Sequence, residues 1–291
     1  RGRRLRGRLG REVKRGLMGV LVLAAGLTVA PAALAKSQTT QSTNWAGYAV
    51  HRDGVTFHRV SANWTQPTAS CTSGQPSYSS AWVGLGGYSP TSGALEQIGT
   101  ELDCTASGKV VSTAWYELVP APSKTISLDV QPGDAMHATV TVTGHRVVVE
   151  LDNLTSHRHF RKTLYSAAID VSSAEWILEA PSECISQFSC QALPLANFGS
   201  ITFGSASVVT ANGRTGTIAR GDWTRTKIKL TPGAQRLIVS RDSTDTGGAA
   251  VPSALRGGGS AFDVTFATAP AQPRRAYVSE SRLSSAGYLK H

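Results

Sequence analysis

An all-β fold is predicted by three features of the chain. Only 16% of its 291 residues are charged, Gly and Ser/Thr are abundant, and no long stretch carries the apolar period of an amphipathic helix. Instead, short segments of alternating apolar and polar residues recur, punctuated by Gly, Pro, Asn or Asp. More than ten strands without helical alternation point to a two-sheet antiparallel β-sandwich, of the jelly-roll or concanavalin-like kind.

Residues 1–35 stand apart from that pattern. A basic stretch from Arg1 to Arg15 precedes an uncharged apolar run from Gly16 to Ala30, then Pro31 and the small-x-small site Ala33-Leu34-Ala35. This is the layout of a secretory signal peptide. The run is long enough for an uncleaved anchor, but Pro31 and the Ala-x-Ala site favour cleavage. The leader holds eight of the 29 Lys/Arg and one of the 19 acids, so the remaining body carries about +3 rather than +10. A nucleic-acid partner therefore loses its electrostatic support. The expected product is secreted, with no membrane association after cleavage.

After a short polar lead-in (36–41), strands are expected at Trp45–His51, Phe57–Trp64, Ser80–Leu85, Leu95–Glu101 and Val110–Leu118. His137–Thr143 places Ala138, Val140 and Val142 on one face and threonines on the other; Gly144-His145 turns the chain and Val147–Leu151 returns as a hairpin. Glu175–Glu179, Ile201–Val209, Lys227–Leu230, Arg236–Val239 and Phe262–Phe266 complete the set, and 240–260 reads as a long loop. One domain is expected over 42–270, followed by a flexible tail over 271–291. Nothing in the pattern demands oligomerisation, so a monomer is expected.

Four cysteines in an exported chain suit disulfides, and loop sizes favour Cys71–Cys104 and Cys184–Cys190 among three connectivities. No Cys-x-x-Cys spacing suggests zinc, and no metal or cofactor is expected.

The common hydrolase signatures are missing: no Gly-x-Ser-x-Gly, His-Glu-x-x-His or Walker loop occurs. Asp245-Thr246-Gly247 spells an aspartic-protease tripeptide, but that chemistry needs two carboxylates sharing a proton, and a lone copy in a Gly-rich stretch reads as a turn. His157 and His159 flank an arginine, which disfavours a dication. A Ser/His/Asp triad has no fixed sequence order, and no particular serine is marked as its nucleophile. What stands out is polar groups inside apolar strands: Glu175 and Glu179 on one face of Ala-Glu-Trp-Ile-Leu-Glu, Gln97 opposite Glu96, and Glu117 after Trp115-Tyr116. Alternation alone assigns such groups to solvated faces, with a cleft as the alternative.

A series of motifs changes that weighting. In order come Ser42-Thr43-Asn44-Trp45-Ala46-Gly47-Tyr48, Val60-Ser61-Ala62-Asn63-Trp64-Thr65-Gln66-Pro67, Ala81-Trp82-Val83-Gly84-Leu85-Gly86-Gly87, Leu95-Glu96-Gln97-Ile98-Gly99, Ala114-Trp115-Tyr116-Glu117 and Ala174-Glu175-Trp176-Ile177-Leu178-Glu179. Their order and spacing resemble the glutamic peptidases, the eqolisin family, from residue 42 to about 205. The resemblance implies a sandwich whose concave face holds a Gln/Glu dyad, here Gln97 and Glu179. It also implies a supporting acid at Glu117, aromatic positions at Trp45 and Trp82, and Tyr116 beside them. Two departures are visible: fungal members carry Asp where this chain has Gly86, and Asp where it has Glu101, whose longer side chain could supply the missing charge.

The implied activity is endoproteolysis at acid pH on protein or peptide substrates. One carboxyl, Glu179, would first take a proton from water and then give one to the leaving nitrogen, while the Gln97 amide stabilises the tetrahedral intermediate. Nearby acids such as Glu117 and Glu101 would tend to raise the Glu179 pKa. Two alternatives use the same residues differently: a carbohydrate-active sandwich with Glu117 and Glu179 as its carboxylate pair, or a binding module with Trp45, Trp64, Trp82 and Trp115 as a stacking platform, against which core packing is the favoured reading for Trp64 and Trp115.

Overall fold

The computed structural model describes residues 36–186, 189–234 and 246–268 and, within 184–191, backbone alone. The expected signal peptide, the strand expected at 236–239 and the expected tail lie outside the described residues.

The strands are β1 (Ser37–Ser42), β2 (Trp45–His51), β3 (Phe57–Thr65), β4 (Ser77–Gly86), β5 (Leu95–Cys104) and β6 (Val110–Val119). Then come β7 (Lys124–Ile126), β8 (Ala135–Thr143), β9 (Arg146–Asn153), β10 (Arg158–Tyr165), β11 (Ser173–Glu179), β12 (Ser182–Ser186) and β13 (Ser189–Ala192). Last are β14 (Ser200–Thr210), β15 (Thr215–Gly216), β16 (Thr224–Leu230), β17 (Gly248–Pro252) and β18 (Phe262–Thr268). Hydrogen-bonded neighbours follow the order β10-β9-β8-β3-β14-β18-β17-β16-β2-β11-β4-β5-β6-β7, with β1 on β16 and β15 on β14.

β14 is where the two layers of the sandwich join. Its Ser200–Phe203 half pairs with β18 and its Gly204–Thr210 half with β3; between them the register shifts and Ser205 adopts φ +51°. Such an irregularity bends a strand so that it can serve two sheets. The result is one sheet curled onto itself, a nearly closed antiparallel sandwich. Its interior is apolar: Val60, Ala62, Val140, Val149 and Leu151 from one layer meet Val83, Leu85, Ile98, Trp176 and Leu178 from the other. The alternation of 137–143 and 147–151 is realised as the β8–β9 hairpin.

Seven of the described strands lie outside the expected set, and β1, β10 and β17 show why. The polar lead-in adds to β16 as the parallel strand β1. Charged β10 closes one edge on β9, where Lys and Arg discourage further pairing. The expected long loop contains β17, held by ladders to β16 and β18. Its Gly-Ala-Ala-Val-Pro sequence has little side-chain alternation, and pairing by the backbone on both sides is what makes it a strand. A disulfide links Cys71 to Cys104, tying the segment before β4 to the end of β5. Cys184 and Cys190 are register partners in the β12–β13 hairpin, and their side chains lie outside the described set.

Candidate active site

β2, β11, β4, β5 and β6 lie side by side, and their registers define a lattice of residues sharing one face. One row reads Trp45, Glu179, Ser80, Glu101, Thr113; another, four residues along, reads Ala49, Glu175, Gly84, Gln97, Glu117. The row between them is Gly47, Ile177, Trp82, Gly99, Trp115. This face looks away from the main core. Trp45, Ala49, Trp82, Leu95, Trp115 and Ile177 form a second apolar cluster on it, and the carboxyl groups sit among those rings.

Glu179, at the end of β11, is half-buried. Asn44 Nδ2 donates to its Oε1 at 2.7 Å and Trp82 Nε1 donates to its Oε2 at 2.8 Å. Trp45 packs edge-on against Trp82, with ring centroids 5.0 Å apart, and so fixes the indole that holds the carboxylate. Gln97 is buried, and its Nε2 donates to Glu117 Oε2 at 2.6 Å. Its Oε1 is buried with no hydrogen-bond partner among the described residues.

Burial raises the pKa of every other carboxyl on this face. Glu117 is pushed up by desolvation, opposed by the bond from Gln97 and assisted by the charge of Glu101. Glu101 is raised by burial against a 3.1 Å hydrogen bond from Thr113 Oγ1. Asp103 reaches about 7, again by burial first and Glu101 second. Glu175, fully buried, is raised well above its ordinary value. At acid pH these groups are neutral, and the face then avoids the cost of several buried negative charges.

Most of the expected site residues share this face, but Tyr116 does not. It neighbours Glu117 in sequence, so it points the opposite way, into the main core, where it stacks on Phe160. Trp115 lines the site face instead. The expectation of solvated carboxylates fails for Glu96 and Glu175, both fully buried, because each strand of this layer is covered on both faces. A stacking platform of surface tryptophans is also overturned: Trp45, Trp64, Trp82 and Trp115 are all buried. Asn44 was present in the first motif without an assigned role; no periodicity could have joined it to a carboxylate 135 residues away.

The Gly86 departure has a structural counterpart. Gly86 takes φ +84°, and a Cβ there would lie 2.5 Å from the Asp170 carbonyl oxygen and 2.6 Å from Asp170 Cβ. Asp170, from the loop before β11, occupies that space and accepts hydrogen bonds from Gly87 N at 3.0 Å and Ser92 Oγ at 2.5 Å. A carboxylate therefore stands against position 86, supplied by a different segment. Asp245 lies outside the described residues; Thr246 Oγ1 caps its own turn by donating to the Gly248 carbonyl at 2.7 Å. Among the described residues, no group of three or more His, Cys, Asp or Glu is arranged to hold a metal ion.

A curled all-β sandwich with buried carboxyl groups on a tryptophan-lined face fits the class of glutamic peptidases. The Peptidase A4 family pattern matches residues 43–248, and the chain belongs to that family; it is a glutamic endopeptidase, a hydrolase of peptide bonds. Among solved structures, it is similar to scytalido-glutamic peptidase bound to a transition-state analogue inhibitor, at 25% identity and TM-score 0.60, covering 77% of this chain and 98% of that one. A second structure of that peptidase, with a peptide-based transition-state analogue, matches at 26% identity and TM-score 0.58 over 77% and 98% of the two chains. SCP-B, an eqolisin in complex with the tripeptide Ala-Ile-His, matches at 25% identity and TM-score 0.56, again over 77% and 98%. No curated protein sequence matches the chain.

Proposed function

We propose that the protein is a secreted acid endopeptidase whose catalytic dyad is Gln97 and Glu179. The observation that carries this reading is the way the two side chains are held. Each oxygen of Glu179 receives an N–H donor, while the Gln97 amide is oriented by Glu117 on the same sheet face. Donation from two N–H groups fixes the orientation of the carboxylate. Glu179 then takes a proton from the attacking water and returns it to the departing amine.

Gln97 has complementary capacity. One of its two amide hydrogens is engaged by Glu117, leaving the other for the developing oxyanion, and its Oε1 can accept from the nucleophilic water. The buried, rigid surroundings make such a donor effective because no reorganisation is needed as charge develops. Glu101 and Glu117 act as supporting acids, neutral at acid pH, and Trp45 and Trp82 bound the site. Peptides are the substrates. Family members are secreted, and the Cys71–Cys104 disulfide suits an oxidising compartment. The protein works as a monomer without a cofactor.

The test is proteolysis of an unfolded protein between pH 2 and 7 in the presence of pepstatin, with Gln97→Ala and Glu179→Gln variants. Pepstatin-resistant cleavage is expected. It should fall on the order of 10²–10³-fold in Gln97→Ala and to background in Glu179→Gln. Undiminished activity in either folded variant would move catalysis elsewhere.

A further inference from the structure

We propose that Asn44 is the positioning residue of Glu179: a preset amide on one carboxylate oxygen that, with the Trp82 indole on the other, fixes the orientation in which the carboxylate meets the reacting water. The inference rests on the dyad reading and extends it to a residue outside the dyad.

Ser42 presets the Asn44 amide. Its buried hydroxyl accepts from the backbone N–H of Asn44 at 3.3 Å and of Trp45 at 3.1 Å. A hydroxyl has two lone pairs and one hydrogen, so with both lone pairs engaged its hydrogen goes to Asn44 Oδ1, 3.2 Å away. That fixes the amide: its oxygen faces Ser42 and its NH2 faces Glu179 Oε1 at 2.7 Å. The backbone adds a second point of attachment, because the Asn44 carbonyl accepts from Ala180 N at 2.8 Å, one residue beyond Glu179. Asn44 thus clamps both the carboxylate and the chain that carries it. The residue is buried, so the bond is made where water competes poorly.

Among the described residues, the carboxyl groups that share this sheet face with Glu179 are Glu101 and Asp103 on β5, Glu117 on β6 and Glu175 on its own strand, joined by Tyr78 on β4 and His51 on β2. Against that acidic set, a neutral donor that cannot ionise is the suitable partner. An acid in its place would be a donor only while protonated. This makes Asn44→Asp diagnostic: the shape is kept, the Ser42 bond to Oδ1 is kept, and the donor becomes conditional on pH.

The experiment measures kcat and KM on a peptide substrate from pH 2 to 7 for wild type, Glu179→Gln, Asn44→Ala, Asn44→Asp and Ser42→Ala, with thermal melts for each. Asn44→Ala should lower kcat on the order of 10- to 100-fold with little change in KM, the usual cost of losing a hydrogen bond to a charged group. Asn44→Asp should approach wild type at the acid end and lose kcat progressively as pH rises, its profile narrower than that of the wild type. Ser42→Ala should fall between, since it frees the amide to turn. Should Asn44→Ala fail to fold, the pH profile of Asn44→Asp and the kcat of Ser42→Ala decide. Folded Asn44→Ala with wild-type kcat, or an Asn44→Asp profile parallel to wild type, overturns the proposal while leaving the dyad intact. Unfolding of all three would assign Asn44 a structural role and overturn it too. Activity persisting in Glu179→Gln would instead sink the dyad reading itself.

Discussion

Trp82 stands one strand and two residues from both Glu179 and Gln97. It lies on β4, between β11 and β5, in the row midway between the rows of the two side chains. Its indole is fully buried, braced edge-on by Trp45, and its N–H is spent on Glu179. The tryptophan is thus both the floor between the proposed catalytic groups and a hydrogen-bond anchor of the carboxylate.

Trp82→Phe separates these roles. It keeps an aromatic floor but deletes the donor to Glu179 Oε2. A fall in kcat on the order of 10-fold or more is expected, with a stability loss of about 1–3 kcal/mol from the smaller ring. Steady-state kinetics and a thermal melt on the same sample check both. Unchanged kcat would show that packing alone explains the residue.

Stability should fall as pH rises from acid to neutral. Neither carboxylate oxygen of Glu96 or of Glu175 lies in hydrogen-bond geometry with a partner among the described residues. Burial holds Glu96 up to about 8 against the pull of the Asp170 backbone, and Asp103 up to about 7. Glu175 is raised well above its ordinary value, offset in part by the nearby Ser173 hydroxyl. Between the ordinary carboxyl pKa and these raised values the folded chain keeps protons that the unfolded chain has released. The stabilisation is therefore complete below about pH 4 and is lost as pH climbs toward 8, on the order of a few kcal/mol in total. Asp263, held down to about 2 chiefly by its hydrogen bond from Arg256, acts in the opposite sense but only below its ordinary pKa of 3.8. Urea midpoints at pH 4 and pH 8 measure the effect, and Glu96→Gln with Glu175→Gln should flatten it. A midpoint that rises with pH would refute the assignment.

The Cys71–Cys104 bridge spans 33 residues of sequence and encloses β4 and β5. Closing a loop of that size in the unfolded chain is worth about 3–4 kcal/mol. A Cys71→Ser/Cys104→Ser double variant should melt at lower temperature. The bridge lies at the far end of β5 from Gln97, so kcat at a temperature where the variant is folded should stay near wild type. A large loss of kcat with intact folding would mean that the bridge shapes the site directly.

The strands that carry the site were legible because their alternation is strong: the spans expected at 45–51 and 57–64 reappear as β2 and β3 within one residue. The same alternation correctly set Glu175, Ile177 and Glu179 on one face. It could not say that both faces of this layer are covered, which is why Glu96 and Glu175 were expected in solvent. Elements held mainly by backbone ladders, such as β1 and β17, leave no side-chain period to read. The partnership of Asn44 with Glu179 depends on strands brought together across 135 residues and has no local signature at all.

Gly99 is packed against β4 beside Trp82. It sits on β5 between Gln97 and Glu101, on the face shared by the proposed dyad. A Cβ added there would come within 2.2 Å of the Ala81 carbonyl oxygen and 2.6 Å of Trp82 Cβ. The closest neighbour is backbone, so relief requires β4 and β5 to separate or Trp82 to be displaced. Gly99→Ala should therefore destabilise the fold by about 1–3 kcal/mol, the usual cost of overpacking. It should also lower kcat in the molecules that remain folded, because Trp82 anchors Glu179. Gly93→Ala is the control, since a Cβ there meets nothing within 4 Å. Melting curves and kcat for the two variants, measured well below either midpoint, distinguish the outcomes. If Gly99→Ala loses stability but keeps full kcat, Trp82 has not moved, and the gap between β4 and β5 is more compliant than the lattice of rows implies.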